Sequence, residues 1–430
     1  MLRKLVTLGQ KLINKKIGEN KMADSFKCLA CNSNKYHMVL DMGEVPLANA
    51  FVQNSEDTAD QNREPLSLVM CLECDLLQIK DEVDRTKLFS NYLWMTSTSS
   101  GAKTHAENLS EHLWKRFGNN EKKPFLVEVA SNDGFFLEHY RDAGFDILGV
   151  DPSNFAEEAN ARGLPSIRDF FGVDVVNKIL ETREKPEVMV ARNVLGHSSE
   201  LQDLVAGMQK LLSAEGTLVL ELPYAYMLRA ELQYDTIFHE HLSYLTVGSL
   251  HNLFKRYQLK ITNVDFVHMN GGSLICEVMH ENSKVASNDQ AMLAFEKFIG
   301  LNTVNGWENF AKDVNKQRKD LVALLTDLKN KGHKVVSYGA AAKFMTMLNY
   351  CDIGPDLVAA CGDANTRKQG LLCPGVHIPV VSPKELIDMS PDFILIGAWN
   401  FKDEIISVMR NKYNFKGEFI MPLPYPEIID

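Results

Sequence analysis

From residue 125 onward the chain alternates short, almost wholly apolar runs with amphipathic stretches. Phe125-Leu126-Val127-Glu128-Val129 has the character of a strand buried on both faces of a parallel sheet. Ser131-Asn132-Asp133-Gly134 follows with turn chemistry, since Asn and Asp tolerate unusual backbone angles and Gly permits close approach. Residues 135–143 then carry helical spacing and stop at Gly144, and residues 146–150 form a second apolar run ending in Asp151. The alternation continues with a helix over 154–162, a strand over 187–191 and a strand over 217–222 closed by Pro223. Two strands over 261–268 and 273–279 are joined by Asn270-Gly271-Gly272.

A mostly helical, Lys/Glu-rich stretch over 283–330 separates this unit from a second one. From Lys334 the strand, small-residue turn and helix restart as KVVSYGAAAKFMTMLNY. Further strands are expected over 357–361, 393–396 and 417–421. Neither a phosphate-loop lysine motif nor a strict G-x-G-x-x-G is present. The fold class is therefore α/β. The chain divides into an extension (1–24), a small cysteine-bearing domain (25–85), a central Rossmann-like domain (86–282), a helical connector (283–330) and a second Rossmann-like domain (331–430), which suits a chain of 430 residues.

Composition narrows the class further. Hydrophobic content is 45% and no run reaches the roughly 18 apolar residues of a spanning helix. A net charge of −10 argues against broad nucleic-acid binding, which needs a basic face. Four of the eight cysteines form two C-x-x-C pairs, Cys28/Cys31 and Cys71/Cys74, whose thiolates suit tetrahedral zinc; a closed four-cysteine set leaves no place for water, so the metal is structural. The scattered remaining cysteines point to a reducing, cytoplasmic setting. Residues 1–21 are Lys-rich, with Glu19 the one acid, and lack a secretory apolar region; a surface helix, a targeting segment or a loosely ordered tail are all open.

Candidate chemistry lies at the strand ends, which face the ligand crevice of a doubly wound sheet. Asp151 is placed to hydrogen-bond ribose hydroxyls, and Glu128 suits a ligand carrying a sulfonium and an amino group, S-adenosylmethionine (SAM), better than a pyrophosphate. Ser131, Asn132, Asp133 and Gly134 form the loop around it, and Asp169 either caps a helix or meets an adenine amino group. Asn193 and His197 follow the strand over 187–191. In Phe238-His239-Glu240-His241 the histidines are two apart, so in an extended segment both rings share a face and Glu240 points away. This is not the zinc-protease H-E-x-x-H. Taken alone, Tyr92 reads as a packing tyrosine.

These motifs, in this order, resemble the SAM-dependent sugar C-methyltransferases, which act at C-3 of nucleotide-linked 4-keto-deoxysugars. The paired cysteines resemble that family's zinc domain, and E-V-A-S-N-D-G-F-F-L with G-V-D-P resembles its SAM motif. F-H-E-H-L-S-Y, N-G-G-S-L, Y-G-A-A-A-K-F-M-T-M-L-N-Y, D-A-N-T-R-K-Q-G and W-N-F resemble its later signatures. The resemblance covers about residues 25–425. It implies His241 as the base that forms an enolate, with Glu240, Tyr92, Asn193 and His197 around the sugar. Lys343, Asp363 and Lys368 are candidates to hold the nucleotide diphosphate. Two departures stand out: Phe238 where the family usually has Tyr, and Ala130 where its SAM loop usually has Gly. The residues alone leave open a sugar oxygen, RNA or protein as acceptor, or a sugar-nucleotide-binding protein without activity. They do not specify the oligomeric state.

Overall fold

The computed structural model describes residues 26–53, 61–83, 102–119, 121–268 and 271–430. The extension and Tyr92 lie outside these.

Three sheets organise the described residues. The central one has seven strands in the order β10-β11-β8-β7-β4-β5-β6. Here β4 is Phe125–Val129, β5 Asp146–Val150, β6 Ser166–Ile167, β7 Val188–Arg192, β8 Thr217–Pro223, β10 Leu259–Val267 and β11 Ser273–His280. The strands β4 to β8 pair in parallel, whereas β11 is antiparallel to β8 and β10 to β11. Every residue of β4 is buried, as its unbroken apolar run demands, and that includes Glu128. Strand order reverses around β4, so the crevice opens at its carboxyl end. The helix Phe135–Ala143 returns Phe136, Leu137 and Tyr140 to the sheet and ends at Gly144.

The C-terminal sheet has the order β14-β13-β12-β15-β16-β17. Its strands are β12 Val335–Tyr338, β13 Cys361–Gly362, β14 Val380–Val381, β15 Phe393–Ile396, β16 Glu418–Met421 and β17 Glu427–Ile429, and only the last is antiparallel. The order reverses around β12, which again places a crevice at a carboxyl end. There Gly339, with φ 96°, lets the chain pass Ala398, whose Cβ would lie 2.8 Å from any added Cβ.

The N-terminal sheet is antiparallel, with β1 Tyr36–Pro46, β2 Arg63–Cys71 and β3 Leu77–Ile79. Its fourth strand, β9 Ser243–Tyr244, comes from the far end of the central domain, pairing Leu77 with Tyr244 and Gln78 with Ser243. The three units share a hydrophobic core that runs from Phe26 through the central domain to Leu423. The helix Val304–Asn330 contributes Trp307, Phe310, Val314, Leu321, Leu325 and Leu328 to it at helical spacing. Its buried Gln317 accepts the Tyr234 hydroxyl at 2.8 Å and donates to the Pro422 carbonyl at 2.5 Å. The stretch between the two Rossmann-like units is thus a packed joint.

Ala130 sits at φ 57°, beside Asn132 at 50° and Gly134 at 72°. A side chain in the left-handed region costs roughly 1–2 kcal/mol, part of which glycine recovers and part of which it returns through its unfolded-state entropy. Ala130→Gly is expected to raise stability by up to about 1 kcal/mol in urea unfolding; a loss of stability would show that the loop is not held in this conformation.

Candidate active site

The loop after β4 is pinned from β5. Asp151 accepts the Asn132 backbone N–H at 2.8 Å through one carboxylate oxygen and the Ser153 N–H at 2.9 Å through the other. A carboxylate offers about four acceptor sites, so ribose hydroxyls still have lone pairs to meet. The Ser131 hydroxyl and the Glu128 Oε2 are buried without a partner, a donor-acceptor pair and an acceptor left over at the crevice. Glu128 Oε1 takes Arg192 at 3.0 and 3.2 Å, and the guanidinium lies 3.2 Å above the Phe136 ring. Burial pushes the Glu128 carboxyl up to about 7 even against Arg192. The residual polar atoms and the left-handed loop at the end of β4 fit a ligand as polar as SAM. Asp169 is turned to its own neighbourhood: it accepts the Phe170 N–H at 2.9 Å and pairs with Lys178 at 2.9 Å, which lowers its pKa.

Arg192 was not singled out from the sequence, although an arginine closing an apolar strand, Val-Met-Val-Ala-Arg, is a visible signal. The same holds for His105, whose Nε2 lies 2.6 Å from the buried Glu221.

The His-Glu-His segment is a turn, closed by the His241 N–H on the Phe238 carbonyl at 2.9 Å. The expectation of an extended segment with both rings on one face is therefore corrected. His239 faces the N-terminal domain, with Nε2 3.2 Å from the Pro65 carbonyl, and Glu240 accepts the Asn49 amide at 2.7 Å. His241 alone points inward. Its Nδ1 is 2.8 Å from the Thr236 carbonyl, an acceptor only, so Nδ1 carries the proton and Nε2 keeps its lone pair. Its ring stacks 4.0 Å from Phe238 and meets His197 edge-on at 4.8 Å. Phe238 thus supplies a wall where a tyrosine would bring a hydroxyl.

Burial, then His197 and Lys343, push His241 down to about 3, and burial also lowers His197, whose ring donates to the Glu240 backbone. Asn193 stands at φ 53° with its side-chain oxygen buried and unpartnered. From the C-terminal domain, Lys343 reaches over the Trp399 ring at 4.1 Å, and Trp399 Nε1 donates to Asp235 at 2.7 Å. Asp235 is fully buried and raised to about 6 by that burial. Asp363 and Lys368 lie apart from this group. Asp363 accepts the Ala340 N–H at 2.8 Å, and Lys368 donates to the Ala340 carbonyl at 2.7 Å, so together they hold the turn after β12.

The four paired cysteines converge. Cys28 and Cys74 sulfurs are 3.5 Å apart, Cys31 and Cys71 3.6 Å, and all four lie within 4.8 Å of one another. Tetrahedral zinc with bonds of about 2.3 Å requires sulfur separations of roughly 3.8 Å, so the set fits. Among the described residues no helix is long and apolar enough to cross a membrane.

Two outcomes are expected. Cys74→Ser should lose the zinc measured by elemental analysis and lower the melting temperature by on the order of 10 °C; retained zinc would remove Cys74 from the ligand set. For His241 the folded pKa lies below the unfolded 6.5, so its contribution is full above about 6.5 and is lost as pH falls toward 3. The melting temperature of His241→Gln, relative to wild type, should therefore rise between about pH 7.5 and 5; a constant difference would mean that His241 is not held neutral.

Three family profiles match in succession: "Putative zinc binding domain" over residues 28–89, methyltransferase domain over 103–264 and C-methyltransferase C-terminal domain over 268–424. C-methyltransferase NovU of Streptomyces niveus is 30% identical over 406 residues, which cover 94% of this chain and 96% of that one. Similar solved structures include magnesium protoporphyrin IX methyltransferase from Synechocystis PCC 6803 with bound SAM, at 12% identity and TM-score 0.32 over 42% of this chain and 80% of that one. Another is 1,6-didemethyltoxoflavin-N1-methyltransferase from Burkholderia thailandensis with bound S-adenosylhomocysteine, at 13% identity and TM-score 0.35 over 50% and 96%. With its four-sulfur zinc site, its SAM crevice and a relative matched nearly end to end, the chain belongs to the SAM-dependent C-methyltransferases built from zinc-binding, methyltransferase and C-terminal C-methyltransferase domains.

Proposed function

We propose that the enzyme methylates the carbon next to the ketone, C-3, of a nucleotide-linked 4-keto-deoxysugar. The observation that carries this reading is His241: a single imidazole with its proton fixed on Nδ1 by a backbone carbonyl, set between the SAM crevice and a second Rossmann-like domain. A neutral imidazole with a bare Nε2 can take a proton from carbon next to a ketone, whereas O-methylation needs no such step.

SAM supplies an electrophilic methyl group, and its binding falls to Glu128, Ser131, Asn132, Asp133, Gly134 and Asp151, with Asp169 beside the adenine end. His241 removes the proton. Glu240, tied to Asn49, holds the turn that aims His241 and lends its free oxygen to the sugar. The Asn193 amide faces the developing enolate oxygen, where a preoriented donor counts most. His197 in its neutral form spends its N–H on the Glu240 backbone, so it shapes the pocket and keeps His241 neutral. Tyr92 positions the sugar. The nucleotide diphosphate occupies the crevice after β12, beside Asp363 and Lys368. Phe238 and the stacked imidazole exclude water from the reacting carbon.

The test is the product formed from SAM and dTDP-4-keto-6-deoxyglucose, followed by mass spectrometry and NMR. A new carbon–carbon bond next to the ketone is expected, and NMR distinguishes C-3 from C-5; methyl on oxygen would sink the reading. His241→Gln should lower turnover by at least about 10³-fold with SAM affinity unchanged, as expected for the group that moves the proton. Near-normal activity in that variant would remove His241 from the mechanism.

A further inference from the structure

Lys343 stands in the first turn of the helix Ala342–Cys351 at the carboxyl end of β12. It lies over the indole of Trp399, and the indole N–H is spent on Asp235. Asp235 immediately precedes Thr236, whose carbonyl holds the His241 proton. One short segment, residues 235–241, therefore holds the indole that carries the lysine at one end and presents the imidazole at the other. Among the described residues no carboxylate lies within 4.0 Å of the ammonium, and it has no hydrogen-bond acceptor. The second oxygen of Asp235 is likewise buried without a partner. A half-buried cation with three unspent donors, held by an aromatic face and a distant carboxylate, is arranged to receive a negatively charged oxygen from elsewhere.

The reaction needs such a group. His241 is a neutral and weak base, so proton abstraction is favourable only where the oxyanion is stabilised as it forms. The other basic candidate, Lys368, is bound to the Ala340 carbonyl, holding the turn after β12. The charge of Lys343 also helps to keep the His241 imidazole neutral.

We propose that Lys343 is a catalytic residue whose ammonium, held in place by Trp399 and Asp235, stabilises the enolate oxygen that forms when His241 takes the neighbouring proton. The inference rests on the carbanion reaction proposed above. In it the C–H electron pair becomes the enolate double bond, the carbonyl π pair moves onto oxygen facing Lys343, and the proton goes to His241 Nε2. The carbonyl re-forms as the carbon takes its methyl group, and His241 returns its proton to solvent. Lys343 is thus assigned to the sugar ketone, and Trp399 and Asp235 are positioning residues.

Proton abstraction can be read without methyl transfer. Wild type, Lys343→Met, Lys343→Gln and Trp399→Phe are each mixed with S-adenosylhomocysteine and saturating dTDP-4-keto-6-deoxyglucose in D2O, and loss of the proton next to the ketone is followed by NMR. Binding of S-adenosylhomocysteine and of dTDP is measured by calorimetry. Both lysine variants should exchange about 10²–10³-fold more slowly, as for removal of an oxyanion donor, with both dissociation constants within about threefold of wild type. Trp399→Phe, which keeps an aromatic face but loses the N–H to Asp235, should slow exchange about tenfold at saturation. Unchanged exchange in either lysine variant that still binds S-adenosylhomocysteine overturns the assignment. So does a weakening of dTDP binding by tenfold or more with exchange at saturation intact, which would make Lys343 a diphosphate grip. If the wild type neither exchanges the proton nor forms a C-methyl product, the carbanion reading itself fails, and this assignment with it.

Discussion

Two residues of backbone ladder hold the active site together. Ser243 and Tyr244 add a fourth strand to the N-terminal sheet, and the ladder continues as the Ile79 N–H meets the Leu242 carbonyl at 3.0 Å and the Leu242 N–H meets Gly196 at 2.7 Å. The turn that ends in His241 comes immediately before this strand. Its partner, Leu77–Ile79, starts three residues after the last zinc ligand, Cys74, and Gln78 on it also accepts the Leu29 N–H from the first knuckle at 2.9 Å. A closed zinc site therefore fixes a strand, the strand fixes β9, and β9 fixes the His241 imidazole against the loop carrying His197. The four-cysteine site thus lies in the chain of contacts that orients His241.

Around that anchor the three domains share one apolar core, and ionisable groups are buried where they meet. In such surroundings an unpaired charge is costly and a paired one is sharply oriented. Arg192 and Glu128 satisfy each other beneath the SAM crevice, Trp399 satisfies one oxygen of Asp235, and His241 remains neutral. Among the buried polar atoms left without partners, Glu128 Oε2 and Ser131 Oγ stand at the carboxyl end of β4 and Asn193 Oδ1 follows β7. Buried polar groups are ordinarily satisfied, so these atoms at the strand ends are where ligand atoms would find partners.

Much of the fold was legible because strand burial leaves a period in the sequence. The apolar runs at 125–129, 187–191 and 393–396 became central strands within a residue of where the pattern put them. The turn residues after β4 adopt left-handed angles at Asn132 and Gly134, and Ala130 does so as well, which explains why glycine suits that position. The site was legible in part. The four cysteines could be named from their paired spacing, but the geometry of His-Glu-His could not, because an extended segment and a tight turn share the same four letters. Asp235 carries no local signal, and the W-N-F signature that begins at Trp399 does not name its partner; the two residues meet across 164 positions.

The sequence by itself determined the α/β units, the four converging cysteines and the turn after β4, since each is written in residues whose spacing reports a backbone period or a metal geometry. Only the tertiary structure decided how these parts face one another. It turned His239 away and His241 inward, returned β9 to the zinc domain and brought Lys343 over Trp399 beside the same segment. Those are contacts between residues distant in the chain, set by which apolar faces pack together, and packing of that kind leaves no period to be read.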